Sequence, residues 1–213
     1  DEMIVLCKQY GVLCIADEVM TGFGRTGTYF ASNQLHTEPD IICLSKSLSG
    51  GTLPLSLTTC SQQIYDSFLG DDLSTAFLHG HSFTGNPIGC AAAIASLELL
   101  EKEECQKQIK NITQRHREFS NQISKYSNVK NVRQCGTILA MDIKSKQKGY
   151  SSNIKDILYQ HFIEDGVLLR PLGNVLYILP PYCISNEELN TVYNSIFDAL
   201  KNGFNHIVVI TKQ

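Results

Sequence analysis

The stretch Val12-Leu-Cys-Ile-Ala-Asp17 is a short apolar run that ends in a carboxylate. A second run, Ile41-Ile-Cys-Leu-Ser-Lys46, has the same form and ends in an amine. Runs of this length, rich in β-branched residues, are typical of buried strands. If the two strands are parallel neighbours in one sheet, Asp17 and Lys46 both emerge at its carboxyl edge, where α/β proteins bind their ligands. The two runs therefore predict an α/β fold with a site at that edge.

The bulk composition is that of an ordinary globular protein. The chain has 213 residues, of which 43% are hydrophobic and 18% are charged, and its formal net charge is −3. This length allows one large domain or two small ones with a real core. The small negative charge gives no electrostatic reason to expect a nucleic acid or an anionic membrane as a partner. The apolar runs are also too short to span a bilayer.

The eight cysteines stand singly and form no Cys-x-x-Cys pair. Most of them lie in apolar runs, where a free thiol behaves as a small hydrophobe. The six histidines are scattered without a metal-ligand spacing. We therefore expect a cytoplasmic protein with free thiols and no metal site.

Residues 1–100 are expected to form the second part of a large domain with a mostly parallel sheet and covered faces. The predicted strands are 12–17, 41–45 and 55–59. Asn86-Pro87 predicts a helix start, with Asn as the N-cap and Pro at the first helical position. The helix that follows, 88–100, is apolar on nearly all sides, which predicts that it is buried.

The first ten residues have the pattern of the end of an amphipathic helix that Gly11 stops. This pattern predicts that the chain begins partway into an α/β repeat. We expect it to be the back part of a longer polypeptide.

The second half of the chain predicts a different arrangement. Residues 101–126 are charged and predict a connecting helix, and residues 127–201 predict a small α+β domain. The predicted strands are 129–132, 137–143, 167–170 and 175–179, and the predicted helices are 153–165 and the segment from a capping box at Ser185-Asn-Glu-Glu188 to about Leu200. The last segment, 202–213, is expected to be a further strand or a loosely held tail.

The loop Gly22-Phe-Gly-Arg-Thr-Gly27 matches the G-x-G-x-x-G pattern of dinucleotide sites. In such sites the last glycine opens a long helix, and an acidic residue follows about 20 positions later. Thr28-Tyr-Phe-Ala-Ser32 has no convincing helical pattern, and position 47 is serine. We therefore rank a nucleotide-binding domain last among the candidate functions.

The surroundings of Lys46 fit a covalent cofactor. The paired glycines Gly50-Gly51 follow it closely, and their backbone freedom lets a bulky group approach. Burial of an amine at such a place lowers its pKa, which favours a nucleophilic lysine. Lysine forms a Schiff base with the aldehyde of pyridoxal phosphate, and a carboxylate such as Asp17 beside the ring nitrogen keeps that nitrogen protonated.

Two other segments carry polar groups of interest. The loop His79-Gly-His-Ser-Phe-Thr-Gly-Asn-Pro87 precedes a helix, and its hydroxyl and N–H groups can hold a phosphate. Arg170 ends the segment Gly166-Val-Leu-Leu-Arg170, and arginine is the side chain best shaped for bidentate carboxylate binding. Taken alone, each segment is more often an ordinary loop or an exposed strand end.

Taken in order, these segments resemble the class III aminotransferases, which are fold-type I pyridoxal-phosphate enzymes. The resemblance rests on Ile15-Ala-Asp-Glu-Val-Met-Thr-Gly-Phe-Gly-Arg-Thr-Gly27, on Pro39-Asp-Ile-Ile-Cys-Leu-Ser-Lys46 and on Gly50-Gly51, and it extends over residues 1–201. Within the class, the members that act in biotin synthesis are most similar, through Leu169-Arg-Pro-Leu-Gly-Asn-Val-Leu-Tyr-Ile-Leu-Pro-Pro-Tyr182.

The resemblance implies roles for the cofactor residues. Lys46 would bind pyridoxal phosphate covalently and then act as the general acid and base. Asp17 would pair with the ring nitrogen, and Val19 would pack against the ring face. Ser82 and the backbone at His81 would bind the phosphate, in this family usually that of the neighbouring subunit of a homodimer.

The resemblance also implies a reaction and its substrates. Gly80 would line the substrate pocket, and Arg170 would bind the substrate carboxylate. An amino group would pass from S-adenosylmethionine to 8-amino-7-oxononanoate and give 7,8-diaminononanoate, although lysine remains open as the donor. The family's front part supplies a Gly-Ser phosphate turn and aromatic pocket residues that are absent here, so we do not expect these 213 residues to build a complete site.

Two alternatives remain beside this function. One is another class III aminotransferase, acting on ornithine, GABA or a diamine. The other is a non-catalytic remnant that serves as a dimerisation or interaction module.

Overall fold

The computed structural model describes residues 1–145 and 154–201, which divide into two units at Gln106 and Lys107. The elements of the first unit are α1 (Glu2–Gln9), β1 (Ile15–Asp17), β2 (Ile41–Leu44), β3 (Leu57–Cys60), α2 (Gln62–Asp66) and α3 (Pro87–Glu101). The elements that follow are α4 (Glu103–Ile123), β4 (Val129–Cys135), β5 (Ile138–Ile143), α5 (Ile154–Glu164), β6 (Val175–Ile178) and α6 (Asn186–Lys201).

The sheet of the first unit has the order β1-β2-β3. Strands β1 and β2 are parallel, as the sequence predicts, and Asp17 lies opposite Cys43. Strand β3 is antiparallel to β2, with Leu57 opposite Leu44, so the sheet has one antiparallel strand beside the parallel pair. Strand β1 is shorter than predicted because the Cys14 N–H donates to Asp40 Oδ2 (2.8 Å) rather than to a neighbouring strand.

The apolar elements of the first unit are more exposed than predicted. Ile15 in β1 is 63% exposed, and Ile88 in α3 is 72% exposed. The buried hydrophobic residues among the described positions of this unit are Phe23, Leu44 and Leu100. An apolar face indicates that a strand or helix packs against something, but its sequence does not say where the covering segment comes from.

The start of α3 follows its sequence signals. Asn86 is the N-cap, and its Oδ1 accepts a hydrogen bond from the Gly89 N–H (2.7 Å), while Pro87 occupies the first turn. Proline is tolerated there because the first-turn N–H groups have no partner within the helix. The predicted helix start is confirmed.

The second unit has a denser core. Its sheet is antiparallel in the order β4-β5-β6, and the side chains of β5 alternate between buried and partly exposed positions. Helices α4, α5 and α6 supply buried side chains to the same cluster. Its largest fully buried members include Phe162, Ile123, Leu139, Met141 and Ile196. The unit therefore combines helices and an antiparallel sheet around one apolar core.

The segment 167–170 is not a strand, which corrects the prediction for it. The Val167 N–H donates to the Phe162 carbonyl at the end of α5 (2.7 Å), and the Leu169 N–H donates to the Val167 carbonyl (3.2 Å). Because these N–H groups are satisfied locally, the segment forms no ladder with β6. Val167 and Leu169 are nevertheless buried, so two side chains of this segment belong to the core although it is not a strand.

The capping box before α6 is confirmed. The Ser185 N–H donates to Glu188 Oε2 (2.7 Å), and the Glu188 N–H donates to Ser185 Oγ (3.1 Å). The predicted segment 202–213 lies outside the described residues, as does the first residue of the predicted helix 153–165. Among the described helices, none is long and apolar enough to cross a membrane.

A histidine is fully buried in the second unit. His116 of α4 has Nδ1 at 2.6 Å from the Tyr193 hydroxyl and Nε2 at 3.1 Å from the Thr137 carbonyl oxygen. Since a carbonyl only accepts, Nε2 carries the hydrogen and Nδ1 accepts from the Tyr193 O–H. Burial lowers the pKa of His116 to about 4, although the bond to Thr137 opposes this shift. The imidazole is therefore neutral at pH 7.

This burial makes stability depend on pH. The unfolded chain protonates His116 near pH 6.5, whereas the folded chain does so only near pH 4. Stability is therefore lost as the pH falls from 6.5 to 4, by about 3 kcal/mol in total. We expect His116→Gln to remove about 2 kcal/mol or more of the difference in unfolding free energy between pH 7 and pH 4.5, as measured by urea titration.

The Tyr193→Phe variant is the matched control. It removes the hydroxyl that His116 accepts from, but it keeps the imidazole buried, so the pH dependence should remain. A His116→Gln variant whose stability falls with pH as steeply as that of the wild type would contradict this account.

Candidate active site

The structure brings Asp17 and Lys46 to the same edge of the first sheet. Asp17 is the last residue of β1, opposite Cys43, and the Glu18 N–H continues the pairing by donating to the Cys43 carbonyl (2.9 Å). Lys46 follows two residues after the end of β2. Because the two strands are parallel, both residues leave the sheet at its carboxyl end. This is the edge at which α/β sheets bind their ligands.

The carboxylate of Asp17 is exposed and partly free to bind. Its Oδ1 accepts a hydrogen bond from the Val19 N–H (3.0 Å). Its other oxygen has no hydrogen-bond partner within residues 1–145 and 154–201. The structure therefore presents one carboxylate oxygen to a cationic group.

Lys46 lies in a turn that is strained in its backbone and held by side-chain hydrogen bonds. Its backbone φ is +46°, in the left-handed region that costs a non-glycine residue about 1–2 kcal/mol. The Ser45 hydroxyl donates to the Leu55 carbonyl (2.8 Å), and the Ser96 hydroxyl of α3 donates to the Ser47 carbonyl (3.0 Å). Strain that neighbouring contacts maintain is typical of functional sites.

The expected burial of the Lys46 amine is not found, because Lys46 is exposed. Gly50 and Gly51, which follow it, both have positive φ. A side chain at Gly50 would come within 3.4 Å of Ser96 Oγ. The predicted backbone freedom at this glycine pair is therefore used in the structure.

The loop that precedes α3 lines an open cavity of about 600 Å³ in the first unit. Gly80 and His81 lie in its wall, together with Thr84 and with Leu55. Since Leu55 is hydrogen-bonded by Ser45, the cavity wall is tied to the residue next to Lys46. The Ser82 hydroxyl has no partner among the residues described.

Thr84 changes the expectation for the His81 backbone. The His81 N–H donates to Thr84 Oγ1 (2.9 Å), and the Thr84 N–H donates to the His81 carbonyl (2.9 Å). The main-chain donor at His81 is therefore occupied in this conformation. The groups of the loop that stay open to an anion include the hydroxyl of Ser82.

Arg170 lies in the second unit and is exposed. It follows the segment in which Val167 and Leu169 are buried, while Leu168 is 70% exposed. Arg170 is therefore exposed like Leu168, whereas Val167 and Leu169 are buried. Its guanidinium is thus open to an acidic ligand.

Glu18 is a buried residue that our sequence analysis did not single out. It is 2% exposed, and its carboxylate accepts hydrogen bonds from Thr21, Ala31 and Ser32. Burial raises the pKa of Glu18, but these hydrogen bonds outweigh it, so the pKa lies below its usual value. In the sequence, an acid beside Asp17 is indistinguishable from a solvated charge.

These residues fit pyridoxal phosphate. The groups that could bind the cofactor are a carboxylate with one unpartnered oxygen, an amine at the same sheet edge, and a loop hydroxyl open to a phosphate. Paired glycines with positive φ leave the backbone beside the amine free of side chains. Within the described ranges, no group of three or more His, Cys, Asp or Glu residues is arranged to hold a metal ion.

The glycine-rich loop does not open a long helix. Residues after Gly27 lead to a single 3₁₀ turn at Ala31–Gln34, and Phe23 and Gly24 have positive φ. A dinucleotide fingerprint requires a helix N-terminus at this point. The geometry agrees with the last rank that we gave to a nucleotide-binding domain.

Comparisons with known proteins point to one family. The family model "Aminotransferase class-III" matches residues 2–200. The adenosylmethionine-8-amino-7-oxononanoate aminotransferase of Synechococcus elongatus is 48% identical over 190 residues, which are 89% of this chain and 44% of that protein. The enzyme of the same name from Methanocaldococcus jannaschii superimposes with a TM-score of 0.84 at 33% identity, over 92% of this chain and 47% of that one.

An amine transaminase from an uncultivated Pseudomonas species, in its pyridoxal-phosphate-bound form, also superimposes well. Its TM-score is 0.85 at 30% identity, over 94% of this chain and 47% of that one. The chain thus spans about half the length of the relatives it matches. The fold is that of the pyridoxal-phosphate-dependent aminotransferases. On the match over residues 2–200, the chain belongs to the class III aminotransferase family.

Proposed function

We propose that the chain is the cofactor-lysine part of a biotin-synthesis aminotransferase. This enzyme would transfer an amino group from S-adenosylmethionine to 8-amino-7-oxononanoate. The observation that carries the proposal is the parallel pairing of β1 and β2, which sets Asp17 and Lys46 at one sheet edge. The 48% identity to a relative of that name supports the choice of substrate.

Two residues would hold the cofactor ring and move the proton. Bound pyridoxal phosphate supplies an electron sink that makes a substrate C–H bond acidic. The open oxygen of Asp17 would face the ring nitrogen and favour its protonated form, because an opposite charge stabilises a cation. Lys46 would hold the cofactor by its amine and would take and return the proton at the substrate carbon. Val19, bonded to Asp17, would pack against the ring.

The loop before α3 would bind a phosphate in a homodimer. The Ser82 hydroxyl would donate a hydrogen bond to the phosphate. The His81 N–H could contribute only if its hydrogen bond to Thr84 Oγ1 were broken. Gly80 would leave room for substrate in the adjoining cavity. The shared phosphate site of related enzymes is the reason for proposing a dimer.

Arg170 would bind the carboxylate of the oxononanoate. Its planar guanidinium can donate two parallel hydrogen bonds to a carboxylate. The exposed position of Arg170 is compatible with this role.

We also propose a cytoplasmic location and a domain division. The eight cysteines are free thiols, which fits a reducing compartment. The proposed domains are 1–100 (large domain), 101–126 (connecting helix), 127–201 (small domain) and 202–213 (tail). The division of the structure at Gln106 falls within the proposed connecting helix.

The resemblance to an amine transaminase keeps a second function open. Such an enzyme would use Asp17 and Lys46 in the same way, but it would need no carboxylate-binding residue for an amine substrate. The two functions therefore differ in what they require of Arg170.

The first prediction of the proposed function concerns Lys46→Ala in the protein expressed from its complete coding sequence. The wild type should convert 8-amino-7-oxononanoate to 7,8-diaminononanoate with S-adenosylmethionine, and the variant should lose at least roughly 10²-fold in kcat because its general base is gone. Product is measured by mass spectrometry. Lys102→Ala, at an exposed lysine just after α3, is the control and should stay active. A wild type that fails to aminate this substrate, whichever amino donor is supplied, would rule out the proposed reaction.

The second prediction concerns Arg170→Lys. Loss of the bidentate contact should raise the KM for the oxononanoate by about tenfold or more, with the KM for the amino donor unchanged. Steady-state kinetics at varied concentrations of each substrate measure both constants. Arg133→Lys, which alters an exposed ion pair with Asp142, is the control. An unchanged oxononanoate KM, together with good turnover of a diamine, would favour the second function.

A further inference from the structure

Glu18 is the most buried acidic residue among those the structure describes, and it stands between Asp17 and Val19. It is 2% exposed, whereas Asp17 is exposed. Burial of a carboxylate is unfavourable unless several donors compensate it. The buried Glu18 carboxylate therefore requires hydrogen-bond donors around it.

Donors from three residues converge on the Glu18 carboxylate. The Thr21 hydroxyl donates to Oε2 (2.7 Å), and so does the Ala31 N–H (2.8 Å). The Ser32 N–H donates to Oε1 (2.6 Å). Ala31 and Ser32 open the 3₁₀ turn Ala31–Gln34, so the carboxylate caps this turn and anchors the far end of the loop that begins at Glu18.

The backbone of Glu18 is fixed as well. Its N–H donates to the Cys43 carbonyl of β2 (2.9 Å), and its carbonyl accepts from the Gly22 N–H (3.0 Å). A Cβ at Gly22 would lie 3.0 Å from the Glu18 carbonyl oxygen and 3.6 Å from Leu44. A side chain at Gly22 would therefore crowd the turn after β1, and the Glu18 carbonyl would have to shift to admit it.

The direction of Asp17 depends on this turn. The Asp17 carboxylate accepts a hydrogen bond only from the Val19 N–H among the described residues. No other side chain described here holds it. The backbone conformation at Glu18 therefore sets the orientation of the Asp17 and Val19 side chains.

We propose that Glu18 is a positioning residue for the cofactor site: by tying the loop 21–32 to the end of β1, it fixes the directions of Asp17 and Val19. The inference rests on the proposed function, since it assumes that these two residues meet the cofactor ring. Glu18 itself touches neither the ring nor the substrate in this account.

The test uses Glu18→Gln in the protein expressed from its complete coding sequence. Glutamine offers one acceptor oxygen, and its NH₂ group would face an N–H donor, so the anchor is disrupted at similar size. We expect the Kd for pyridoxal phosphate, measured by absorption titration, to rise on the order of tenfold. We also expect weaker visible circular dichroism of the bound cofactor, because an asymmetric signal requires a fixed ring.

Thr21→Val is the second variant. It removes the hydroxyl donor of Thr21 with little change in shape, and it should shift the Kd and the visible signal in the same direction by a smaller factor. It keeps the proposal testable if Glu18→Gln fails to fold.

Asp72→Asn is the matched control. The Asp72 carboxylate accepts from the Ser74 N–H (2.9 Å) and caps the 3₁₀ turn Leu73–Thr75, as Glu18 caps another turn. A general loss of stability should lower the melting temperature of Glu18→Gln and Asp72→Asn alike. Only Glu18→Gln and Thr21→Val should change the cofactor signals.

The outcomes separate the two proposals. If the wild type forms no visible band with pyridoxal phosphate, the proposed function is wrong. If the wild type forms the band, and Glu18→Gln and Thr21→Val both keep its Kd and circular dichroism, then Glu18 is only structural and the inference is overturned.

Discussion

The parallel hydrogen bonding between β1 and β2 is the constraint on which the candidate site depends. It places Asp17 opposite Cys43 and brings the end of β2 to the same edge, so that Lys46 follows within three residues. Parallel strands end at the same edge, whereas antiparallel neighbours end at opposite edges. An antiparallel pairing of these two strands would therefore have separated the acid from the amine.

Hydrogen bonds in the turns after the two strands hold Asp17 and Lys46 at this edge. Glu18 caps a turn and fastens the loop after β1, while Ser45 and Ser96 fasten the turn that carries Lys46. Most of these bonds join a side chain to a backbone group, which is how irregular segments satisfy their polar groups. The strained backbone at Lys46 persists because these bonds hold it.

Signals that act over a few residues predicted the structure well. The apolar runs predicted β1 and β2, Asn86-Pro87 predicted the start of α3, and the box at Ser185 predicted the start of α6. Burial was harder to predict, because Ile15 and Ile88 have the pattern of buried residues although they are exposed in the structure. The prediction of a strand at 167–170 was wrong for another reason, since N–H groups of this segment donate to nearby carbonyls instead of to a strand.

Part of the candidate site could likewise be predicted from the sequence, and part could not. The sheet edge with Asp17 and Lys46 could be predicted, because strand ends are visible in a sequence. The hydrogen bond from the His81 N–H to Thr84 and the anchoring by Glu18 could not, because they depend on side-chain geometry within loops. Arg170 matched a family pattern, and the structure adds that it is exposed.

The most direct test of the account is to locate the cofactor on the chain. The protein expressed from its complete coding sequence is incubated with pyridoxal phosphate, reduced with sodium borohydride, digested, and analysed by peptide mass spectrometry. The account predicts a phosphopyridoxyl group on Lys46, in the peptide that contains Ile41-Ile-Cys-Leu-Ser-Lys46. A modification confined to other lysines, or none at all, would contradict the assignment of the sheet edge at Asp17 and Lys46 as the cofactor site.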